Sequence, residues 1–221
     1  VAGPDPNTGT KMASWGFPMV SRSGRIYLLF NRHTGVNDLW PPLTGTMGGC
    51  YSDDNGKTWS TVEDVPMARN QYDNPDASFP TNWIIWQKPE RLSEGKYFAG
   101  FTHWFSAAVS KTPKDEQDWT QGEGATEFMR FENIDDNPEV RNIIVSRFAN
   151  GKEALTYPSA KHPELCVIQE PSIVKLPDGR LFCIMRTSAG HPAWSVSTNE
   201  GKNWSRPQPL RQRTGGPIFA N

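Results

Sequence analysis

No stretch of the 221-residue chain approaches the ~20 consecutive apolar residues that a helix needs to cross a bilayer. No charge of one sign predominates either: 23 Lys and Arg stand against 24 Asp and Glu, a formal net charge of -1. The first absence excludes a membrane-spanning helix. The second gives no footing for nucleic acid or an acidic membrane as partner. Cysteine is scarce. Cys50, Cys166 and Cys183 lie far apart in apolar, strand-like runs, so neither a disulfide framework nor a zinc site is expected, and they read as small buried hydrophobes. Nothing calls for a cofactor or a metal. The opening residues, "VAGPDPNTGTKMASW", lack the basic start and apolar core of a secretory signal. Long amphipathic helical patterns are nearly absent.

What is abundant is Trp, Gly and Pro, at 9, 19 and 19 residues. Pro and Gly punctuate short strands, and aromatics favour sheets and sugar-facing surfaces. Short apolar runs recur ("RIYLLF", "NWIIWQ", "KYFAGF", "NIIVSRF", "PSIVKL", "RLFCIM"), separated by the turn signals "SRSGR", "LSEGK" and "LPDGR". This is an all-β pattern of hairpins.

Three stretches repeat one plan. Each has a Pro in a first strand (Pro18, Pro89, Pro171) and a turn glycine followed by a base (Gly24-Arg25, Gly95-Lys96, Gly179-Arg180). An apolar second strand follows, then a polar turn closing on Trp59, Trp119 or Trp204. Pro and Gly are six residues apart in the first two copies and eight in the third. The unit is a four-stranded antiparallel sheet, and such sheets around an axis make a β-propeller. The repeats cover about 12–65, 80–125 and 165–210, with 126–164 an insertion or additional strands, all of residues 1–221 belonging to one domain. Propellers need ~4–8 blades, so about three are expected here. Either a missing remainder or self-association would complete the ring.

The polar turn is written out fully twice, as "YSDDNGKTWS" and "VSTNEGKNWS". In Ser52-x-Asp54-x-Gly56-x-x-Trp59, Gly56 suits the positive φ of a tight turn. Ser52 and Asp54 can bond backbone groups of the same turn, and Trp59 can pack between sheets. Ser197, Asn199, Gly201 and Trp204 repeat the pattern, and "SKTPKDEQDW" reads as a degraded copy. The motif resembles the Asp-box (BNR) sequence S-x-D-x-G-x-x-W of sialidases and related propellers. The resemblance covers nearly the whole chain and implies a six-bladed propeller when complete. It also implies that the boxes are structural and lie at the periphery, away from the active site.

The third repeat, "IQEPSIVKLPDGRLFCIMRTSAG", is the most sialidase-like. Carried over by position, Glu170 is implied to polarise a tyrosine nucleophile, and Arg186 to be one of three arginines gripping a substrate carboxylate. A planar guanidinium suits that carboxylate bidentately, and a neutral tyrosine needs a nearby base. In the first repeat Pro18 matches the family, but Gly16 stands where an arginine is implied. Asp38, in "NRHTGVNDLWPP", falls where the acid/base aspartate is implied, with Arg32 beside it as a substrate-binding candidate. The tyrosine and a further arginine would lie outside this sequence.

Three histidines, His33, His103 and His191, fall just after the second strands and would project from one end of the propeller. Each is a candidate acid, base or substrate ligand. Trp40 and Trp104 are the sugar-stacking candidates, whereas Trp86 reads as core. The function expected is an exo-acting, sialidase-like glycoside hydrolase on an acidic glycan, secreted or periplasmic. Glu170 and Asp38 or His33 would do the chemistry, and Arg186, Arg32, His103, Trp104, His191 and Trp40 would hold substrate. Two alternatives stand beside it: a propeller lyase or rhamnose-releasing glycosidase using His and Arg, and a non-catalytic glycan-binding propeller.

Overall fold

The computed structural model describes residues 12–39, 43–115, 118, 120–216 and 218. They form three antiparallel sheets and a few single-turn 3-10 helices. The first sheet runs in chain order through β1 (Ala13–Val20), β2 (Ile26–Arg32), β3 (Thr46–Ser52) and β4 (Glu63–Val65). In the middle sheet the innermost strand is split into β5 (Trp83–Ile84) and β6 (Glu90–Arg91). Both halves pair with β7 (Tyr97–Trp104), followed by β8 (Gly124–Phe131) and β9 (Val145–Phe148). The third sheet is β10 (Ile168–Lys175), β11 (Leu181–Thr187), β12 (Ala193–Ser197) and β13 (Gln208–Pro209). No helix among the described residues is long and apolar enough to cross a membrane.

The core lies between successive sheets. Tyr27, Leu29 and Met47 of the first meet Trp83, Phe101, Met129 and Phe131 of the middle. Phe98 and Phe128, on the other face of the middle sheet, meet Ile168, Leu181, Cys183 and Met185 of the third. Covered on both faces, β7 is buried at all eight positions. By contrast, β11 alternates buried and half-buried, as a strand covered on one face must. The free thiols behave as read: Cys50 and Cys183 are buried and Cys166 half-buried, and burial raises the pKa of all three.

Both boxes close the turns between third and fourth strands, with the same bonds. The Ser52 hydroxyl donates to Asp54 Oδ1 at 2.8 Å and accepts the Gly56 N–H at 2.8 Å. The Ser197 hydroxyl donates to Asn199 Oδ1 at 3.1 Å and accepts the Gly201 N–H at 2.9 Å. Trp59 and Trp204 each donate Nε1–H to the box glycine's carbonyl, at 3.2 and 3.0 Å. Gly56 and Gly201 both have φ of +82°. A Cβ on Gly201 would also strike the Phe98 ring, so here glycine is required by the turn and by the neighbouring sheet.

The middle repeat departs from expectation. Its third strand is β8, so the expected degraded box precedes the third strand in sequence instead of following it, and its Trp119 lies outside the described residues. The connection from β8 to β9 carries Asp135 instead, which binds the Arg22 N–H and the Arg91 guanidinium. Within 126–164 the chain completes β8, supplies β9 and then crosses to β10 through turns and isolated bridges.

Candidate functional site

Two innermost strands carry a β-bulge at the same level. In β1 the register with β2 shifts between Ser14 and Phe17, and in β10 the register with β11 shifts between Gln169 and Ser172. The residue after the first bulge position has positive φ in both, Trp15 at 50° and Glu170 at 53°. Such backbone costs an L-residue about 1–3 kcal/mol, and a bulge re-aims the side chain it carries. In the middle sheet the same level is the break between β5 and β6, which contains Trp86.

Glu170 meets Arg186, at the end of β11: Nη1 donates to Oε1 at 3.2 Å, and the two side chains are 30 and 32 % exposed. Thr102 of the middle sheet takes the Glu170 N–H at 2.7 Å and so fixes the bulge. Asp118 lies close enough to feel the charge of Arg186. Its carboxyl is held below the usual range mainly by the Thr120 hydroxyl and N–H, with Arg186 adding to this. The expected pair is thus brought together.

The burial of Trp86 and Trp104 is the reverse of expectation. Trp104 is fully buried with Leu43 and Ile84 and cannot face a sugar, whereas Trp86 is 38 % exposed. Trp86 is met edge-on by Trp15, centroids 5.7 Å apart, and by Trp104 at 6.5 Å. Trp40 lies outside the described residues.

The remaining candidates lie elsewhere. Arg32 is drawn two strands outward to Asp64 of β4, at 2.9 Å, away from the inner strands. His33 is 3 % exposed, with Nε2 at 2.8 Å from Asn37 Oδ1 and Nδ1 accepting the Gly35 N–H. The Asp38 carboxylate is tied down by Asn74, Asn82 and Ser106 at 2.9, 2.7 and 2.9 Å, joining three loops. His191 sits in the loop after β11, edge-on to Tyr157. His103 is not beyond a strand but inside β7, fully buried. The three histidines therefore do not converge.

His103 belongs instead to a charge network that sequence reading missed. Its Nε2 is 3.3 Å from Asp73 Oδ1 and its Nδ1 3.2 Å from Glu127 Oε2. Glu127 also binds Arg147, Asn70 and the Gly151 N–H. Burial pulls the imidazolium pKa down, but the two carboxylates more than reverse this and hold it above the ordinary value. Against its own desolvation, His103 keeps Asp73 ionised, with a pKa of about 2. A cavity of about 680 Å³ lies between residues 153–158 and 204–209, and its lining includes neither Glu170 nor Arg186.

Antiparallel sheets packed face to face, with box turns between third and fourth strands, make this a sialidase-like β-propeller fold, of which about three blades stand here. The chain belongs to the BNR repeat-like domain family, whose model matches residues 4–214. No curated protein matches it. Among solved structures it is similar to Zg3597, a family 117 glycoside hydrolase from Zobellia galactanivorans, at 12 % identity and TM-score 0.60, covering 95 % of this chain and 59 % of that one. The intramolecular trans-sialidase of Ruminococcus gnavus is similar at 12 % identity and TM-score 0.52, with 91 and 54 % covered. A polysaccharide lyase of family PL25, an ulvan lyase, is similar at 10 % identity and TM-score 0.51, with 94 and 46 % covered. The chain spans about half the length of these structures, and at such identities the likeness is one of fold.

Proposed function

We propose that the protein is carbohydrate-active: a sialidase-like, exo-acting glycoside hydrolase on an acidic glycan. The observation that carries this is the Glu170–Arg186 pair, 3.2 Å apart and one-third exposed at a bulge on the innermost strand. Arg186 pairs with the substrate carboxylate. Glu170 takes the proton of a nucleophile outside the described residues, so that a neutral hydroxyl can attack the anomeric carbon. Asp38 and His33 have no part in this reading, because their side chains are engaged in loop bonds.

The test is turnover of 3′-sialyllactose and of a hexuronate oligosaccharide by the full-length protein, with products analysed. Saturated reducing sugar, lost in Arg186→Gln with neutral glycosides unaffected, is the expected result. An unsaturated uronate absorbing in the ultraviolet would make the protein a lyase. One observation favours a non-catalytic, glycan-binding reading: Asn31 and Thr102, at the positions matching Arg186, are buried in contacts with the next sheet's inner strand. The described residues thus offer one arginine at this level. Binding without turnover of either glycan would establish that reading.

A further inference from the structure

Counting back from the turn glycine of each repeat exposes a relation that the prolines hide. Trp15, Trp86 and Glu170 each stand nine residues before Gly24, Gly95 and Gly179. Asn31, Thr102 and Arg186 each stand seven residues after them. The repeat therefore places one corresponding residue per blade on the inner strands, twice an indole and once a carboxylate; Trp15 and Glu170 have positive φ, and Trp86 lies in the break between β5 and β6.

The two indoles make one surface. Trp86 is held at 67° to Trp15 and 65° to Trp104, and Trp104 is anchored in the core. A ring fixed on two sides in this way loses little entropy when it binds. Among the described residues Trp86 is 38 % exposed. Trp86 is two residues past Ile84, which pairs with Thr102, and Thr102 holds the Glu170 N–H. The strand that carries Trp86 is thus joined, through Thr102 of β7, to the bulge that carries Glu170.

We propose that Trp86, braced by Trp15, is a stacking platform for a second pyranose ring of an acidic oligosaccharide whose charged unit pairs with Arg186. The ligand is thereby an acidic glycan of two or more units, not a free acidic monosaccharide. The C–H face of a pyranose suits an aromatic ring, and the ring hydroxyls stay in water. This inference rests on the Arg186 reading above and adds to it the demand for a neighbouring sugar.

Calorimetric titration of the full-length protein with 3′-sialyllactose, sialic acid, a glucuronate-containing tetrasaccharide and glucuronic acid tests it. One oligosaccharide is expected to bind at least tenfold more tightly than its own acidic monosaccharide. Trp86→Ala should erase that ratio while leaving the monosaccharide affinity within twofold, and Trp86→Phe should retain most of it. Arg186→Gln should weaken both members of the pair. An unchanged ratio in Trp86→Ala with Arg186→Gln damaging overturns the platform alone. An undamaged Arg186→Gln, or binding of none of the four, overturns both readings. A second measurement does not depend on the variants folding. N-bromosuccinimide should oxidise Trp86 in the wild type, and the bound oligosaccharide, but not the monosaccharide, should slow it at least fivefold. Equal protection by both would also overturn the platform.

Discussion

Trp204 lies flat on Phe128, ring centroids 4.1 Å apart and planes 6° from parallel. The box tryptophan of the third sheet is therefore packed as part of the middle sheet's core. With the Gly201–Phe98 contact, it makes the box a fastener between neighbouring blades as well as a turn.

Trp204→Leu should therefore lower the unfolding free energy by about 2–3 kcal/mol, the order of truncating a large core residue. Phe128→Leu should cost a similar amount. The double variant should cost about 1 kcal/mol less than the two together, because both singles lose the same stack. Additive losses in urea titrations would mean that the rings do not interact.

Asp54 tests the box from the other side. The Thr58 hydroxyl donates to it at 2.6 Å and the Thr58 N–H at 2.8 Å, bonds that hold its pKa at about 2. A depressed carboxylate stabilises the fold above its unfolded value, ~3.9, and loses that contribution as pH falls through about 2. Asp54→Ala should lower the melting temperature at pH 7, with the deficit shrinking between about pH 4 and 2. Asp54→Asn should behave closer to wild type, since Asn199 fills the same position in the second box. A large loss of glycan binding at unchanged stability would show that the box has a role beyond structure.

The boxes were legible because their bonds are local, spanning two to four residues. The blade plan was legible because turn glycines and apolar runs recur in order. The middle blade's third strand was not, because a long polar stretch of sequence separates β8 from β7 and carries Trp119 where a box tryptophan is expected. The burial of Trp86 and Trp104 was not legible because Trp86 falls in a break in the innermost strand, where no strand pattern tells which residues are covered. The unequal proline spacing held the clue, since Gly16, not Pro18, lies eight residues before its glycine as Pro171 does. His103 looked available because the partners that satisfy it inside the core, Asp73 and Glu127, are 30 and 24 residues away.

The buried network sets a pH window. His103, raised above its ordinary value, stabilises the fold below its unfolded pKa of ~6.5 and loses that contribution as pH rises through the folded value. Asp73 and Glu127, both depressed, stabilise above ~4 and lose this as pH falls through their folded values. Stability should therefore peak between about pH 4.5 and 6.5. His103→Gln should flatten the alkaline side of the profile. Arg147→Met, which leaves the fully buried Glu127 with one cation fewer, should cost about 3–5 kcal/mol at pH 7. An alkaline limb unchanged in His103→Gln would show that the imidazole stays neutral throughout.

The positive φ at Glu170 allows stability and function to be moved in opposite directions. At 53° the backbone is strained for any side chain except glycine's. The side chain repays little, because its pair with Arg186 is one-third exposed and screened by water. Glu170→Gly should therefore raise the unfolding free energy by about 0.5–1 kcal/mol, after the greater freedom of glycine in the unfolded chain is set against the relief of strain. The same change removes the proposed base and its bond to Arg186, so turnover of acidic glycans should fall by about 10²-fold or more. Glu170→Ala separates the two effects: turnover falls equally, but the strain stays and no stability is gained. The measurements are urea unfolding and turnover on 3′-sialyllactose and the hexuronate oligosaccharide. A Glu170→Gly protein less stable than Glu170→Ala would show that the bulge is not strained. Full turnover in either variant would remove Glu170 from the chemistry.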